Sequence, residues 1–199
     1  VIGALFADGF AGATYVVFGG PGPFTHPVSL DSLDGNNGFR VDGVAEFDLS
    51  GSALSRAGDV NGDGFDDLII GAYGASPDGM PLAGSSYVVF GGPRPSTHPL
   101  ALSGLDGRNG FSVNGAQAYD LSGFSVAGEC DVNADGSGDI IIGATGHDPV
   151  DRPAAGSTYV VWGQGNTAFF DNLSLADIND RNGLIIMGAN ARDQSGHSV

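Results

Sequence analysis

The sequence predicts an all-β protein built from repeated units of four antiparallel strands, packed side by side like the blades of a β-propeller. Three observations predict it. A Tyr-Val-Val-aromatic-Gly motif occurs at Tyr15, Tyr87 and Tyr159, each 72 residues after the last. An aspartate-rich loop at Asp59 returns at Asp131, with the same spacing. No stretch carries sustained helical periodicity, whereas short apolar, β-branched runs bounded by glycine recur throughout. Repetition at a fixed period is the signature of repeat architectures, in which each unit buries its apolar faces only against its neighbours.

Each unit reads as four strands in order. Strand one precedes the acidic loop (49–57, then 121–128). Strand two follows the loop as Leu68-Ile69-Ile70 and Ile140-Ile141-Ile142. Strand three is the Tyr-Val-Val segment. Both are apolar at consecutive positions, which predicts burial on both sheet faces. Strand four follows a long connection rich in Pro and Gly, as Asn37-Gly38-Phe39-Arg40-Val41, Asn109-Gly110-Phe111-Ser112-Val113 and Asn182-Gly183-Leu184-Ile185-Ile186. The first two copies alternate, which predicts an edge strand with one wet face. The last copy lies one residue late, so a single insertion falls near 165–181. Ile2-Gly3-Ala4 aligns with Ile70-Gly71-Ala72. The expected division is therefore a partial blade of strands two to four (1–48), complete blades at 49–120 and 121–194, and a first strand of a further blade at 195–199.

Composition narrows the function. Glycine supplies 35 of 199 residues, at repeated turn positions and with no collagen period. Asp and Glu total 23 against 7 Lys and Arg, a net charge of −16, which argues against nucleic acid and anionic membrane surfaces as partners. No apolar run is long enough for a membrane-spanning helix, so no membrane insertion is expected. The single cysteine, Cys130, stands where Gly58 stands before the first loop and reads as a small packed residue.

The loops carry the chemistry. Asp59, Asn61, Asp63 and Asp67 place oxygen-bearing side chains at positions 1, 3, 5 and 9, with Gly62 and Gly64 between them. Asp131, Asn133, Asp135 and Asp139 repeat the set. Calcium takes six to eight oxygens in a tight loop, and position 7 (Phe65, Ser137) would offer a backbone carbonyl. An EF-hand is excluded because position 12 is Ile70 or Ile142 inside a strand, where that motif requires a bidentate Glu and a helix. A bare Asx-rich turn explains one such loop more readily than two with the same ligand positions. The ten residues expected to hold Ca²⁺ are those named.

Other candidate groups obey the repeat. His26 and His98 share a Thr-His-Pro motif in the connections, His147 lies in a loop, and His197 replaces Phe124 of the preceding unit. No nucleophile elbow, Cys-His pair or zinc-binding helix is present, so the segment is expected not to be an enzyme.

The D-x-N-x-D-G-x-x-D loop, the Gly-Ala after strand two and the Ser-Gly turns at Ser50, Ser122 and Ser195 resemble the FG-GAP repeats of the integrin α-subunit β-propeller and its bacterial relatives. The likeness covers nearly the whole chain. Ser-Gly replaces the family's Phe-Gly, Gly71-Ala72-Tyr73 and Gly143-Ala144-Thr145 replace its Gly-Ala-Pro, and the period is longer, with the excess in the connection. The resemblance implies propeller blades, calcium ligation, and a secreted or cell-surface setting in adhesion or extracellular assembly. It also implies one alternative, a propeller appendage of a phospholipase D-like hydrolase; a lectin-like glycan binder is a further alternative, outside the resemblance. The blade count predicts unpaired ends, and hence head-to-tail contacts with other copies or neighbouring repeats. An extracellular protein or glycan ligand is the remaining expected partner.

Overall fold

The computed structural model describes residues 1–20, 27–93, 98–165 and 171–199. Thirteen strands are present among them, in the order β1 (Ile2–Ala4), β2 (Ala13–Val17), β3 (Gly38–Asp42), β4 (Ala53–Gly58), β5 (Asp67–Ala72), β6 (Ser85–Val89), β7 (Leu100–Ala101), β8 (Gly110–Asn114), β9 (Ser122–Cys130), β10 (Asp139–Ala144), β11 (Ser157–Val161), β12 (Asn172–Ser174) and β13 (Gly183–Met187). They form three sheets, and the chain is all-β apart from short helical turns.

The antiparallel meander of the second sheet runs β4-β5-β6-β8, and that of the third runs β9-β10-β11-β13. Registers repeat between them: Ile70 faces Tyr87 across β5 and β6, and Ile142 faces Tyr159 across β10 and β11. Ile69 and Ile70 are adjacent and both fully buried, as the apolar run predicted. They point to opposite sheet faces and so enter two different cores. Ile70 joins Val41, Tyr87 and Leu100 between the first and second sheets. Ile69 joins Phe111, Ile140, Ile142 and Tyr159 between the second and third.

Strand four is not an edge strand in the first two sheets, and this corrects the expectation of a wet outer edge. A fifth, parallel strand from the following unit's long connection lies against it. β7 pairs with β3, placing Leu100 opposite Val41, and β12 pairs with β8, placing Leu173 opposite Val113. The excess length of the repeat is thus a stride back to the preceding blade, followed by a 3-10 turn and the return into the unit's own strand four. Leu102 and Leu175, in those turns, are buried beneath the crossing.

Strand one also starts later than its apolar pattern suggests. Leu49 and Leu121 have φ of 58° and 54°, so they turn the chain before β4 and β9 begin. At 195–199 the chain forms no strand; Ser195 makes an isolated bridge to Gly156, as Ser50 does to Gly12 and Ser122 to Gly84. These bridges bring each Ser-Gly turn onto the preceding blade. Gly71 lies directly under the Gly123 carbonyl, and Gly143 under that of Gly196.

Candidate metal centre

Each acidic loop closes a hairpin between the first two strands of its unit, so the ladder fixes both loop ends. In the first loop, the Asp63 amide donates to Asp59 Oδ1 and to Asn61 Oδ1, both at 3.0 Å. The Gly64 amide donates to Asp59 Oδ2 at 2.8 Å, and the Phe65 amide to Asp63 Oδ1 at 2.9 Å. Gly62 and Gly64, at φ of 74° and 89°, supply the left-handed bends this winding requires. The second loop repeats the circuit: the Asp135 amide donates to Asp131 Oδ1 (2.9 Å) and Asn133 Oδ1 (3.0 Å), and the Ser137 amide to Asp135 Oδ1 (2.8 Å). Ala134, at φ 59°, stands where the first loop has Gly62.

Positions 1, 3 and 5 therefore share one locus on the exposed side of each loop, and position 9 does not join them there. Asp67 is buried, accepting from the Val60 amide (2.9 Å) and the Gly91 amide (2.8 Å). Asp139 does the same with Val132 (2.7 Å) and Gly163 (2.9 Å). Among the described residues, no three Asp, Glu, His or Cys side chains are gathered at one point. Phe65 is exposed and Ser137 half-buried.

Electrostatics differ along the loop. Burial pushes the Asp67 carboxyl up to about 6 against the pull of its two amide bonds, with Asp63 and Asp59 adding repulsion. The Ser137 amide holds Asp135 below the usual carboxylate range, helped by Asn133. Among the described residues, no Lys, Arg or His nitrogen pairs with a carboxylate at position 1, 5 or 9 of either loop. Each loop thus gathers two carboxylates and an amide oxygen, all hard donors, on its exposed side, with the position-9 carboxylate buried behind them; Arg56 lies 3.7 Å from the neighbouring Asp66 of the first loop. That donor set fits calcium.

The first loop also meets the next unit, as the Gly138 amide donates to the Asp59 carbonyl at 2.9 Å and the Gln164 amide to that of Val60 at 3.0 Å. Beside the second loop is an open cleft of about 420 Å³, lined by Asn133, Asp135, Ser137, Trp162, Gln164 and Arg181 among others.

The histidines are not brought together. His26 lies outside the described residues. His98 Nε2 lies 2.8 Å from the Leu33 carbonyl, so it fastens its connection to the preceding unit. His147 is buried with Nδ1 2.7 Å from Ser157 Oγ, and burial lowers its pKa. His197 lies against Phe124, with ring centroids 4.9 Å apart and planes tilted by 39°.

A second set of aspartates escapes sequence reasoning. Asp48, Asp120 and Asp193 accept from the amides three residues earlier, of Ala45, Gln117 and Asn190, at 3.0, 2.8 and 2.8 Å. Their signal is a common Asp-x-Ser-Gly spacing. Burial raises Asp120 from 3.8 to about 6. A carboxyl raised by folding stabilises the fold below its unfolded pKa, and that contribution is lost as pH rises through about 6. A tenfold change in an ionisation constant is worth roughly 1.4 kcal/mol, so holding Asp120 charged at neutral pH costs about 3 kcal/mol. Asp120→Asn should therefore be more stable than the parent by about 1–3 kcal/mol near pH 7.5, with the gap closing near pH 4. Urea melts at both pH values, in chelator, test this; a gap independent of pH would contradict it.

The FG-GAP repeat family matches residues 50–89, which span the first loop and β4 to β6. Integrin alpha-PS2 of Drosophila melanogaster is 32% identical over 135 residues, 66% of this chain and 9% of that protein. Integrin alpha pat-2 of Caenorhabditis elegans is 35% identical over 106 residues, 53% of this chain and 8% of that protein. A phosphatidylinositol-glycan-specific phospholipase D of Dictyostelium discoideum is 30% identical over 152 residues, 70% of this chain and 15% of that protein. The chain spans under a sixth of the length of these relatives. With its repeated meanders, Ser-Gly bridges and hairpin loops, the chain belongs to the FG-GAP repeats of the integrin α type, folded as successive β-propeller blades whose ring is not closed.

Proposed function

We propose that this chain is a calcium-stiffened, non-catalytic propeller segment of a secreted or cell-surface protein, acting in adhesion or extracellular assembly. One observation carries the reading: the same circuit of carboxylates is built twice, and among the described residues no Lys, Arg or His pairs with the carboxylates at positions 1, 5 or 9. Asp59, Asn61, Asp63, the Phe65 carbonyl and Asp67 would hold one ion; Asp131, Asn133, Asp135, the Ser137 carbonyl and Asp139 would hold the other. Calcium would supply the missing positive charge. The chain's own residues do the rest, since position 9 anchors each loop to the end of strand three and the ladder fixes its two ends. Two relatives named as integrin α subunits support the setting.

A propeller appendage of a hydrolase is the second reading, favoured by the phospholipase D relative that aligns with 70% of this chain. In either reading the segment itself is a scaffold.

Thermal melts test the calcium reading. Extracellular calcium modules bind with Kd of about 10⁻⁴–10⁻³ M. About 10 mM calcium should then stabilise the fold by about 1.4–2.7 kcal/mol per site relative to chelator. Asp63→Ala and Asp135→Ala should each remove one site's share. Coincident melts with and without calcium would sink the proposal.

A further inference from the structure

At the end of each blade opposite the acidic loop, the turn leading into strand one carries a planar side chain. Phe47, Tyr119 and Arg192 hold the same repeat position, with φ of 70°, 68° and 68°. A bulky residue is strained in that left-handed region, which Asn or Gly occupies at lower energy. Phe47 and Tyr119 are also 64% and 62% exposed, although each sits at a junction with a blade on both sides. Gly74 of the second blade lies against the Phe47 carbonyl, and Gly146 of the third against that of Tyr119. Packing therefore gains little from either ring. Strain held at an exposed aromatic position points to a ligand.

The surroundings narrow its chemistry. Phe47 is backed by Phe10, with ring centroids 5.6 Å apart and planes 16° from parallel, which leaves its other face for a partner. The Tyr119 amide is tied to the Pro81 carbonyl beside the exposed Leu82. Glu46 and Gln117, close to the two rings in sequence, are exposed. The segment from Gly74 to Pro81, which links the two junctions, exposes Ser76, Asp78 and Gly79. The apolar row is thus interrupted by polar groups, whereas a protein partner needs a continuous apolar core in an interface of roughly 800 Å² a side. A net charge of −16 disfavours anionic ligands. A neutral sugar suits every feature, because its C–H face covers a planar group while its hydroxyls bond to carboxylate and amide groups at the ring's edge.

We propose that Phe47 and Tyr119 are stacking platforms for a neutral oligosaccharide, with Glu46 and Gln117 taking its hydroxyls. One platform at each junction lets a polysaccharide engage two at once, so avidity sets retention more than either contact does. Stacking of this kind rests on the adhesion reading for its setting and is independent of calcium.

Affinity electrophoresis of the whole chain through gels containing β-glucan, mannan, xylan or glycol chitin, in chelator and in calcium, tests it. At least one neutral gel should retard the parent in both conditions, so failure of the calcium reading would leave this result standing. Phe47→Asn and Tyr119→Asn suit the left-handed backbone and should melt no lower than the parent. Each should nevertheless weaken retardation by roughly three- to tenfold, and the double variant should lose it. Phe47→Trp and Tyr119→Trp keep a planar face and should retain it. No retardation by any neutral gel, retardation that the double Asn variant keeps, or stronger retardation by acidic alginate would overturn the proposal. Binding to poly-arginine that the double variant loses, with no neutral gel retarding the parent, would overturn it too and assign the rings to a basic protein.

Discussion

Gly71→Val is expected to be among the most damaging single substitutions in the second blade, costing about 4 kcal/mol or more. The reason is space. A Cβ on Gly71 would fall on the Gly123 carbonyl oxygen and press against Ala53 at 3.2 Å. That oxygen is backbone in the Ser-Gly turn held against this blade, so it moves only if the second and third blades part. Net stabilities of such domains are about 5–15 kcal/mol, so the loss approaches the whole. Gly92→Ala is the control, because a Cβ there meets nothing within 4 Å among the described residues. Urea melts should separate the two by several kcal/mol; equal midpoints would show that the blades tolerate a wider gap than this packing implies.

The second large effect separates position 9 from the other loop positions. In chelator, Asp139→Ala should cost about 2–5 kcal/mol, because it strips the acceptor from the Val132 and Gly163 amides at roughly 1–3 kcal/mol each. Asp135→Ala in chelator should cost under about 1 kcal/mol, since its carboxylate is exposed and satisfies only loop groups. In calcium, each variant should lose one site as well. If the two variants melt together in chelator, Asp139 is a ligand only and the anchoring described above carries no stability.

That contrast shows where the sequence stopped being readable. Spacing presents Asp59, Asn61, Asp63 and Asp67 as four equal oxygens. Only the fold shows that Asp67 lies inward, on an amide contributed by Gly91 at the end of strand three. The strands themselves were legible because Leu68-Ile69-Ile70 and Tyr87-Val88-Val89 are apolar at adjacent positions, which only a sheet covered on both faces explains. The parallel fifth strand was not. Its pairings span two or three residues, and their partners lie in the preceding unit. Leu100 and Leu102, like Leu173 and Leu175, did leave an alternating trace in the connection. Leu49 and Leu121 misled in the opposite sense, as apolar residues that bend the backbone ahead of a strand.

The crossing strand also sets a timetable for synthesis. A blade's four-stranded meander can form as soon as its last strand leaves the ribosome, yet its outer edge must wait for a strand made later. From Asn114 to Asn172 is about 60 residues, so at roughly 5–20 residues per second the edge of β8 stays open for roughly 3–12 s. During that interval every nascent chain on a polysome displays the same sticky edge to its neighbours. Slowing elongation within residues 115–171 should therefore raise the yield of aggregated nascent chains, whereas the same pause placed after Ser174 should not.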